Sequence, residues 1–313
     1  MLPKRFSRVW SAAPTPLIPG PKVDVASVER MVEHHLRLGV KGLFLAGSCG
    51  EGNLLPPAEK RRLVRSVARA AAGRLFIAVQ VTDDSPRRIV ENTEQARTDG
   101  ADLAVIGPPA RVEPGPFERL GPFYLEAVRR SSLPVGLYDL GDRRAHSIPA
   151  DRLADLYREP RVRFVKDSSS DPARREIALR ARAERDDLSL FNGDEFNCAK
   201  YLQAGYDGLM LGGGVFNGYL AGMIVSAVDE RDRERAERLQ ERMTRMMHAV
   251  YGGPEIHCWL SGLKYLLQQL GVFSTRVTLS EYPLTDRCRD EIARVLEIER
   301  DLLLPANGRV GVS

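Results

Sequence analysis

Short apolar runs alternate with amphipathic helical patterns along most of the chain, which indicates repeated strand–helix units. Each apolar run predicts a strand, and polar turn residues separate it from the helical pattern that follows. The predicted strands cover residues 9–12, 42–46, 75–80, 103–106, 134–138, 162–166, 189–192 and 208–211. The predicted helices cover 25–38, 57–71, 86–98, 117–130, 149–157 and 196–203, and one more begins at Pro172 behind an Asp171 cap.

This order of elements predicts an α/β fold, a (β/α)8 TIM barrel with a C-terminal helical extension. Parallel strands need helical crossovers, and a closed sheet leaves no edge. An open doubly wound sheet is the alternative, but no G-x-G-x-x-G follows the first strand and the units are evenly spaced. Residues 230–250, 255–270 and 287–303 then predict helices only, with no Gly/Ser-rich linker before them. We therefore predict a barrel that carries the functional site over residues 1–229 and a helical region over 230–313 packed on it.

Composition narrows the class of protein. A chain of 313 residues with 43% hydrophobic content can bury a large core. Its formal charge of +4 is spread among interleaved acids and bases, as in residues 229–242, so nucleic-acid binding is not expected. The four cysteines lie far apart, which predicts neither a metal site nor a disulfide framework, and no cofactor is expected. With no signal-peptide pattern and no apolar run long enough to span a bilayer, we predict a soluble cytoplasmic protein.

One lysine stands in an unusual place. Strand alternation puts Val162, Phe164 and Lys166 on one face, so an ammonium group follows two apolar side chains where the strand ends. The chain has only seven lysines against thirty-nine arginines, which indicates that Lys166 is needed as an amine. A desolvated neutral amine can attack a carbonyl and form a Schiff base. The alternative is a lysine whose head reaches the surface or pairs with Asp167.

Functional residues of such a barrel lie at the C-terminal ends of strands and in the loops that follow. Here these positions hold G-S-C-G-E from Gly47, Y-D-L-G-D-R from Tyr138, V-K-D-S-S-S-D around Lys166 and F-N-G-D-E around Gly193. The four segments resemble the G-T-T-G-E, Y-N-x-P-x-R, Schiff-base lysine and S-G-D-D motifs of the dihydrodipicolinate synthase and N-acetylneuraminate lyase family, the class I pyruvate-dependent aldolases. They occur in the same order on the corresponding strand ends, and the resemblance covers nearly the whole chain.

The resemblance implies a lyase or aldolase that acts on pyruvate, or another 2-oxo acid, and an aldehyde. Lys166 would form the Schiff base and Tyr138 would act as general acid and base. The Ser48 hydroxyl and the backbone N–H groups of its glycine-flanked turn would hold the pyruvate carboxylate. Arg143 would bind a second carboxylate on the acceptor. The remaining expected contacts are Gly193, for close backbone approach, Met210, on the pyruvate methyl side, and Cys49, a small packing residue and weak donor.

Two departures from the family pattern bear on the substrate. The loop where the synthases carry an aromatic pair is Pro108-Pro109-Ala110-Arg111, and Cys49 replaces the second threonine of G-T-T-G-E. We therefore expect a lyase for a sugar acid or a hydroxy-oxo acid, with 4-hydroxy-tetrahydrodipicolinate synthase proper as the alternative.

Two other classes of protein remain open. Gly212-Gly213-Gly214 would fit a barrel that binds sugar phosphates, although no Lys, Ser or Thr accompanies the glycines. A non-catalytic 2-oxo acid binding protein is the other, against which the presence of both Lys166 and Tyr138 counts. The resemblance also implies a homotetramer or homodimer.

Overall fold

The computed structural model describes residues 2–111 and 120–306, and it contains the barrel that the sequence predicts. Its strands are β1 (Arg8–Ala12), β2 (Leu17–Ile18), β3 (Lys22–Val23), β4 (Gly42–Leu45), β5 (Phe76–Gln80), β6 (Leu103–Ile106), β7 (Val135–Asp139), β8 (Val162–Asp167), β9 (Ser189–Asn192) and β10 (Gly208–Leu211). Strand β1 and strands β4 to β10 close into a ring, and every neighbouring pair in that ring is parallel. The (β/α)8 barrel is therefore confirmed.

Helices connect the barrel strands and continue beyond the last one. They are α1 (Val25–Arg37), α2 (Pro57–Ala71), α3 (Pro86–Thr98), α4 (Leu120–Arg130), α5 (Ala150–Arg158), α6 (Pro172–Glu184), α7 (Cys198–Gln203), α8 (Gly214–Asp229), α9 (Arg233–Tyr251), α10 (Trp259–Gln269), α11 (Asp286–Ile298) and α12 (Arg300–Leu303). The predicted caps form, because Asp24 accepts from the Ser27 N–H and Asp171 accepts from the Ala173 N–H. The start of the predicted 117–130 helix lies outside the described residues.

Aromatic side chains fill the barrel interior toward the N-terminal ends of the strands. The Trp10 ring lies 5.8, 6.0 and 5.4 Å, between centroids, from the rings of Phe76, Phe164 and Phe191. Gly136 on the neighbouring strand β7 leaves space for the Phe164 ring, because a Cβ at this position would lie 2.1 Å from that ring. This layer is closely packed, so a small molecule can enter the barrel only from the C-terminal ends of the strands.

The sequence-based boundaries are wrong at several places for physical reasons. Helix α8 was missed because its side chains are apolar nearly all round, as expected for a helix buried between the barrel and α9. Strand β4 ends at Leu45 because Ala46 takes a left-handed conformation with φ of 54°. The predicted 287–303 helix is divided into α11 and α12, and the segment between β1 and α1 contains the short antiparallel pair of β2 and β3, which the sequence did not predict.

The helices after the barrel pack closely on it. Helix α9 contacts α8, α10 and α11, and it buries Met243, Met246, Met247 and Val250 on its inward side. Helix α12 contacts α8 as well. The division into a barrel over residues 1–229 and a helical region over 230–313 stays a prediction, because helix contacts alone do not define a domain boundary.

Two adjacent histidines of α1 are buried against the barrel. The Nε2 atom of His34 lies 2.8 Å from the Val215 carbonyl oxygen, and the ring nitrogens of His35 lie 2.8 Å from the Met31 carbonyl oxygen and 2.9 Å from Ser11 Oγ. Burial lowers the pKa of His34 to about 4 and that of His35 to about 3. Both imidazoles are therefore neutral in the folded protein at pH 7.

These two lowered pKa values predict a loss of stability in mild acid. Below pH 6.5 the unfolded chain binds a proton at each imidazole, whereas the folded chain does not until about pH 4 or lower. The free energy of unfolding should therefore fall by about 1–2 kcal/mol per histidine between pH 7 and pH 5. Urea denaturation across this range measures the slope.

Two variants separate the buried histidines from other titrating groups. His34→Gln, whose amide can still donate to the Val215 carbonyl, should lower the slope, and His257→Gln at an exposed position should leave it unchanged. A slope for His34→Gln equal to that of the unmodified protein would contradict the assignment.

Candidate active site

Lys166 lies inside the barrel near the C-terminal end of β8. Its side chain is only 5% exposed, and Nζ lies 4.2 Å from the centroid of the Tyr138 ring and 5.1 Å from that of Phe44. Among residues 2–111 and 120–306, Nζ forms no ion pair and no hydrogen bond. The amine is thus held by aromatic faces and has no carboxylate partner within the described chain.

Asp167 does not pair with the neighbouring lysine. Its side chain points to the outer face of β8, where Oδ2 accepts from the Tyr206 hydroxyl at 2.6 Å. Oδ1 accepts from the backbone N–H and the hydroxyl of Ser169, at 2.9 and 2.7 Å. Strand alternation places Lys166 and Asp167 on opposite faces, so the alternative of an Asp167–Lys166 pair is wrong.

Tyr138 is the neighbour of Lys166 in the parallel pairing of β7 and β8. The Tyr138 side chain is 7% exposed, and its ring meets the Phe44 ring edge to face, with centroids 5.9 Å apart. The Tyr138 hydroxyl has no hydrogen-bond partner in the described part of the chain. The fold therefore brings Tyr138 and Lys166 together and leaves this hydroxyl available.

Gly193 gives the lysine side chain its room. A Cβ at this position would lie 2.8 Å from Lys166 Cε and 2.1 Å from Ser168 Oγ, so any larger residue would displace one of them. Ser168, which the sequence analysis did not single out, is the first residue after β8 and lies two residues beyond Lys166. Met210 is fully buried on β10, in register with Trp10 of the interior layer.

The turn after β4 presents backbone N–H groups. Those of Ser48, Cys49 and Gly50 donate no hydrogen bond within the described residues, while the Gly50 carbonyl is held by the Thr15 hydroxyl at 2.6 Å. A run of free N–H groups in a tight turn is a general way to bind an anion. The Ser48 side chain is exposed, as a ligand-binding hydroxyl at the barrel mouth can be.

Cys49 is buried below this turn. Its Sγ lies 3.7 Å from the Gly212 carbonyl oxygen, a distance consistent with a weak S–H donor. Burial raises the pKa of the thiol well above its usual range, and the nearby Glu195 carboxylate adds to this rise. Cys49 is therefore protonated at neutral pH and transfers a proton poorly.

The arginine predicted to bind the acceptor is only partly described. The backbone of Arg143 lies in a short 3-10 turn, Gly141–Arg143, and its side chain lies outside the described atoms. Buried Arg174 holds the start of this loop, with Nη1 3.0 Å from Asp139 Oδ1 and Nη2 3.3 Å from Asp142 Oδ1. The loop is thus anchored at the end of β7, directly after Tyr138.

Glu195 is a neighbour of Lys166 that sequence reasoning missed. One oxygen of Glu195 accepts from the Tyr251 hydroxyl at 2.9 Å and the other from the Gly213 N–H at 2.7 Å. Burial raises the pKa of this carboxyl, and the hydrogen bonds and the Lys166 charge oppose the rise. The only signal in the sequence was its place two residues after Gly193 in F-N-G-D-E.

The hydrogen bond from the Gly213 N–H to Glu195 tests whether the three glycines after β10 could bind a phosphate. A phosphate at this corner would need free N–H groups, yet the Gly213 N–H already donates to Glu195. A buried carboxylate at this place would also repel a phosphate. The geometry therefore disfavours a sugar-phosphate site.

The described residues contain neither a cluster of metal-ligating side chains nor a helix that could span a membrane. No group of three or more His, Cys, Asp or Glu side chains in residues 2–111 and 120–306 is arranged to hold a metal ion. No helix in that part of the chain is both long enough and apolar enough to cross a membrane.

Comparisons with known proteins agree with this arrangement. A curated relative, 4-hydroxy-tetrahydrodipicolinate synthase of Xanthomonas campestris pv. campestris, is 29% identical over 205 residues, which cover 66% of this chain and 67% of the relative. N-acetylneuraminate lyase 2 of Escherichia coli O6:H1 is 26% identical over 296 residues, which cover 93% of this chain and 94% of the relative. The solved structure of dihydrodipicolinate synthase from Bacteroides thetaiotaomicron superposes with a TM-score of 0.84 at 26% identity, covering 93% of this chain and 98% of that one.

The family model itself covers almost the whole chain. The model described as the dihydrodipicolinate synthetase family matches residues 5–299, which include all eight barrel strands and α1 to α11. Its members among these relatives are named as synthases and as a lyase. The chain belongs to the dihydrodipicolinate synthetase family.

Proposed function

We propose that this protein is a Schiff-base-forming lyase or aldolase that joins pyruvate to an aldehyde, or cleaves or dehydrates a related 2-oxo acid. The observation that supports this most is the buried, unpaired amine of Lys166 against the Tyr138 ring. An amine is the nucleophile that imine formation needs. Family membership and the names of the relatives support the same reaction class.

The proposed reaction balances with the groups of this site. Lys166 Nζ bonds to C2 of the 2-oxo acid, and the ketone oxygen leaves as water. Loss of a proton from C3 gives an enamine, whose C3 attacks the aldehyde carbon while the aldehyde oxygen takes up a proton. Water then hydrolyses the imine and releases the product and the free amine. Cleavage of an aldol follows the same steps in reverse.

The proton transfers are assigned to Tyr138. Its hydroxyl has no partner in the described chain and its ring lies against Lys166, so it can both donate to and accept from the reacting oxygen. The free N–H groups of Ser48, Cys49 and Gly50 would hold the 2-oxo acid carboxylate, with the Ser48 hydroxyl as a further donor. Gly193 would allow close approach and Met210 would line the methyl side.

The acceptor is proposed to differ from aspartate semialdehyde. Cys49 stands where the family motif has a hydroxyl, and its thiol has a raised pKa and a contact with the Gly212 carbonyl. The loop at Pro108–Arg111 has no tyrosine. Arg143, and Arg111 on the exposed side of that loop, favour an acceptor with a carboxylate or several hydroxyls.

Other candidate functions are weaker. A synthase of 4-hydroxy-tetrahydrodipicolinate is the second candidate, supported by the name of the Xanthomonas relative. A non-catalytic 2-oxo acid binding protein would not need the free Tyr138 hydroxyl. A cytoplasmic location and a homotetramer or homodimer stay predictions.

The covalent intermediate is the first test. Incubation with pyruvate and borohydride should add one pyruvate-derived mass to the protein, and peptide mapping should place it on Lys166. Lys166→Ala should stay unlabelled. Buried Lys264 and exposed Lys200 serve as internal controls, because one is enclosed in an ion pair and the other is solvated. Labelling on another lysine, or on none, contradicts the proposal.

Tyr138→Phe separates proton transfer from imine formation. It should lower kcat by on the order of 10² to 10⁴ while borohydride still traps pyruvate on Lys166, because the ring that packs on the amine remains. Steady-state kinetics and intact-protein mass together measure the two effects. A kcat close to that of the unmodified enzyme would mean that the hydroxyl has no catalytic role.

A panel of acceptors tests the substrate proposal. Pyruvate is paired in turn with aspartate semialdehyde, glyoxylate, glyceraldehyde and N-acetylmannosamine, and aspartate semialdehyde should not give the highest kcat/KM. Cys49→Thr, which restores the family hydroxyl, should raise the kcat/KM for aspartate semialdehyde relative to the other acceptors. If aspartate semialdehyde is preferred by a wide margin in the unmodified enzyme, the substrate proposal is wrong.

A further inference from the structure

A fully buried ion pair joins the C-terminal region to the turn after β4. Lys264 of α10 and Glu51 are both 0% exposed in their side chains, and Nζ lies 2.5 Å from Glu51 Oε2. The same ammonium donates to the Val277 carbonyl oxygen at 2.8 Å. Burial lowers the pKa of Lys264, and the Glu51 carboxylate opposes this by stabilising the charged form.

The other oxygen of Glu51 is held equally firmly. Oε1 accepts from the N–H groups of Leu279 and Ser280, at 2.5 and 2.9 Å, and from the Ser280 hydroxyl at 3.1 Å. The carboxylate therefore accepts hydrogen bonds from α10 and from the 277–280 segment at once. No barrel helix contributes to this set of contacts within the described residues.

The backbone of Glu51 passes this restraint to the proposed carboxylate site. Its φ of 54° is in the left-handed region, which a non-glycine residue adopts only where its surroundings hold it. The Glu51 N–H donates to the Ser48 carbonyl at 3.1 Å, and the Gly52 N–H donates to the Gly47 carbonyl at 3.2 Å. A shift of Glu51 would therefore move the free N–H groups of Ser48, Cys49 and Gly50 (the turn N–H groups).

A buried ion pair is not by itself a stabilising feature. Replacing a buried ion pair with neutral groups of similar shape is often neutral or stabilising, whereas removing one partner is costly. The pair does something that apolar side chains cannot, because two directed charges fix the position of Glu51 and of the turn attached to it.

We propose that Lys264 is a positioning residue of the active site: through Glu51 it fixes the turn N–H groups so that they receive the substrate carboxylate. This inference rests on the proposed function, in which that turn binds the 2-oxo acid. Lys264 itself does not touch the substrate, since its side chain is enclosed by Glu51 and the 277–280 segment.

Lys264→Met is the principal variant. It removes the charge while keeping a side chain of similar length, so an unpaired carboxylate is left beside the turn. The pyruvate concentration that gives half-maximal borohydride trapping should rise by about tenfold or more, a factor that corresponds to about 1.4 kcal/mol of binding. At saturating pyruvate, label should still reach Lys166 and kcat should stay within about threefold, because the imine-forming and proton-transferring groups are untouched.

Rescue by a second substitution separates positioning from general damage. In Lys264→Met/Glu51→Gln the uncompensated charge is gone, and the oxygen of the new amide can still accept from the N–H groups of Leu279 and Ser280. This double variant should recover most of the pyruvate affinity that Lys264→Met loses. A double variant that binds pyruvate no better than Lys264→Met overturns the proposal.

Arg182→Met is the matched control for loss of an ion pair elsewhere. This substitution breaks the ion pair of Arg182 with Asp207, in which Nη2 lies 3.0 Å from Oδ1. Asp207 directly precedes β10, so this pair lies at the N-terminal end of the barrel, opposite the proposed site. The control should lower the free energy of unfolding without changing half-maximal trapping. An equal loss of pyruvate affinity in both single variants would show a general effect of instability and would overturn the positioning role.

The outcomes distinguish this inference from the proposed function. If the unmodified enzyme traps no pyruvate on Lys166, the proposed function fails. If it does trap pyruvate and Lys264→Met has the same half-maximal concentration, only the positioning role fails. Should Lys264→Met not fold, Glu51→Gln alone carries the test, with an expected rise of about threefold in half-maximal pyruvate, since hydrogen bonds to charged groups are stronger than neutral ones. An unchanged value in Glu51→Gln then overturns the inference.

Discussion

The site depends on keeping the amine of Lys166 without a carboxylate partner. Four acidic residues lie at or after the C-terminal ends of barrel strands, and each accepts hydrogen bonds from other groups: Asp139 from Arg174, Asp167 from Tyr206 and Ser169, Glu195 from Tyr251 and Gly213, and Glu51 from Lys264. A carboxylate in an ion pair with the amine would stabilise the ammonium form and suppress nucleophilic attack. The protein thus holds its acids near the lysine while binding each of them to another group.

Strand alternation in the closed barrel makes this separation possible. Tyr138 and Lys166 point inward, while Asp139 and Asp167, the next residues of the same two strands, point outward and are themselves in register. On the N-terminal side of Lys166, the aromatic layer around Trp10 fills the barrel interior. The lysine side chain therefore has no space in that direction. The ring faces of Tyr138 and Phe44 lie against this amine.

The sequence predicted those parts of the molecule that depend on local pattern. Period-two and helical periodicities identified the barrel strands and most connecting helices, and strand parity alone predicted that Lys166 would share a face with Phe164. It missed α8, whose apolar residues surround the whole helix and leave no periodic signal. It also did not pair Glu51 with Lys264, because the two lie 213 residues apart and no local pattern links them. Glu195 was missed because its partner, Tyr251, belongs to a helix beyond the barrel.

These long-range contacts give the C-terminal helices a place in the chemistry proposed for the barrel. Helix α9 supplies the Tyr251 hydroxyl that orients Glu195 on the β9 side of the site, and α10 supplies the Lys264 ammonium that fixes Glu51 on the β4 side. In the ring, β1 and β10 lie between β4 and β9. The two contacts therefore hold the barrel mouth on either side of the β1–β10 pair. Without these helices Glu51 would lose the Lys264 ammonium, and Glu195 would lose the Tyr251 hydroxyl while keeping the Gly213 N–H. The region beyond the barrel therefore holds two carboxylates in place at the barrel mouth, although within the described chain it contributes no side chain to Lys166 itself.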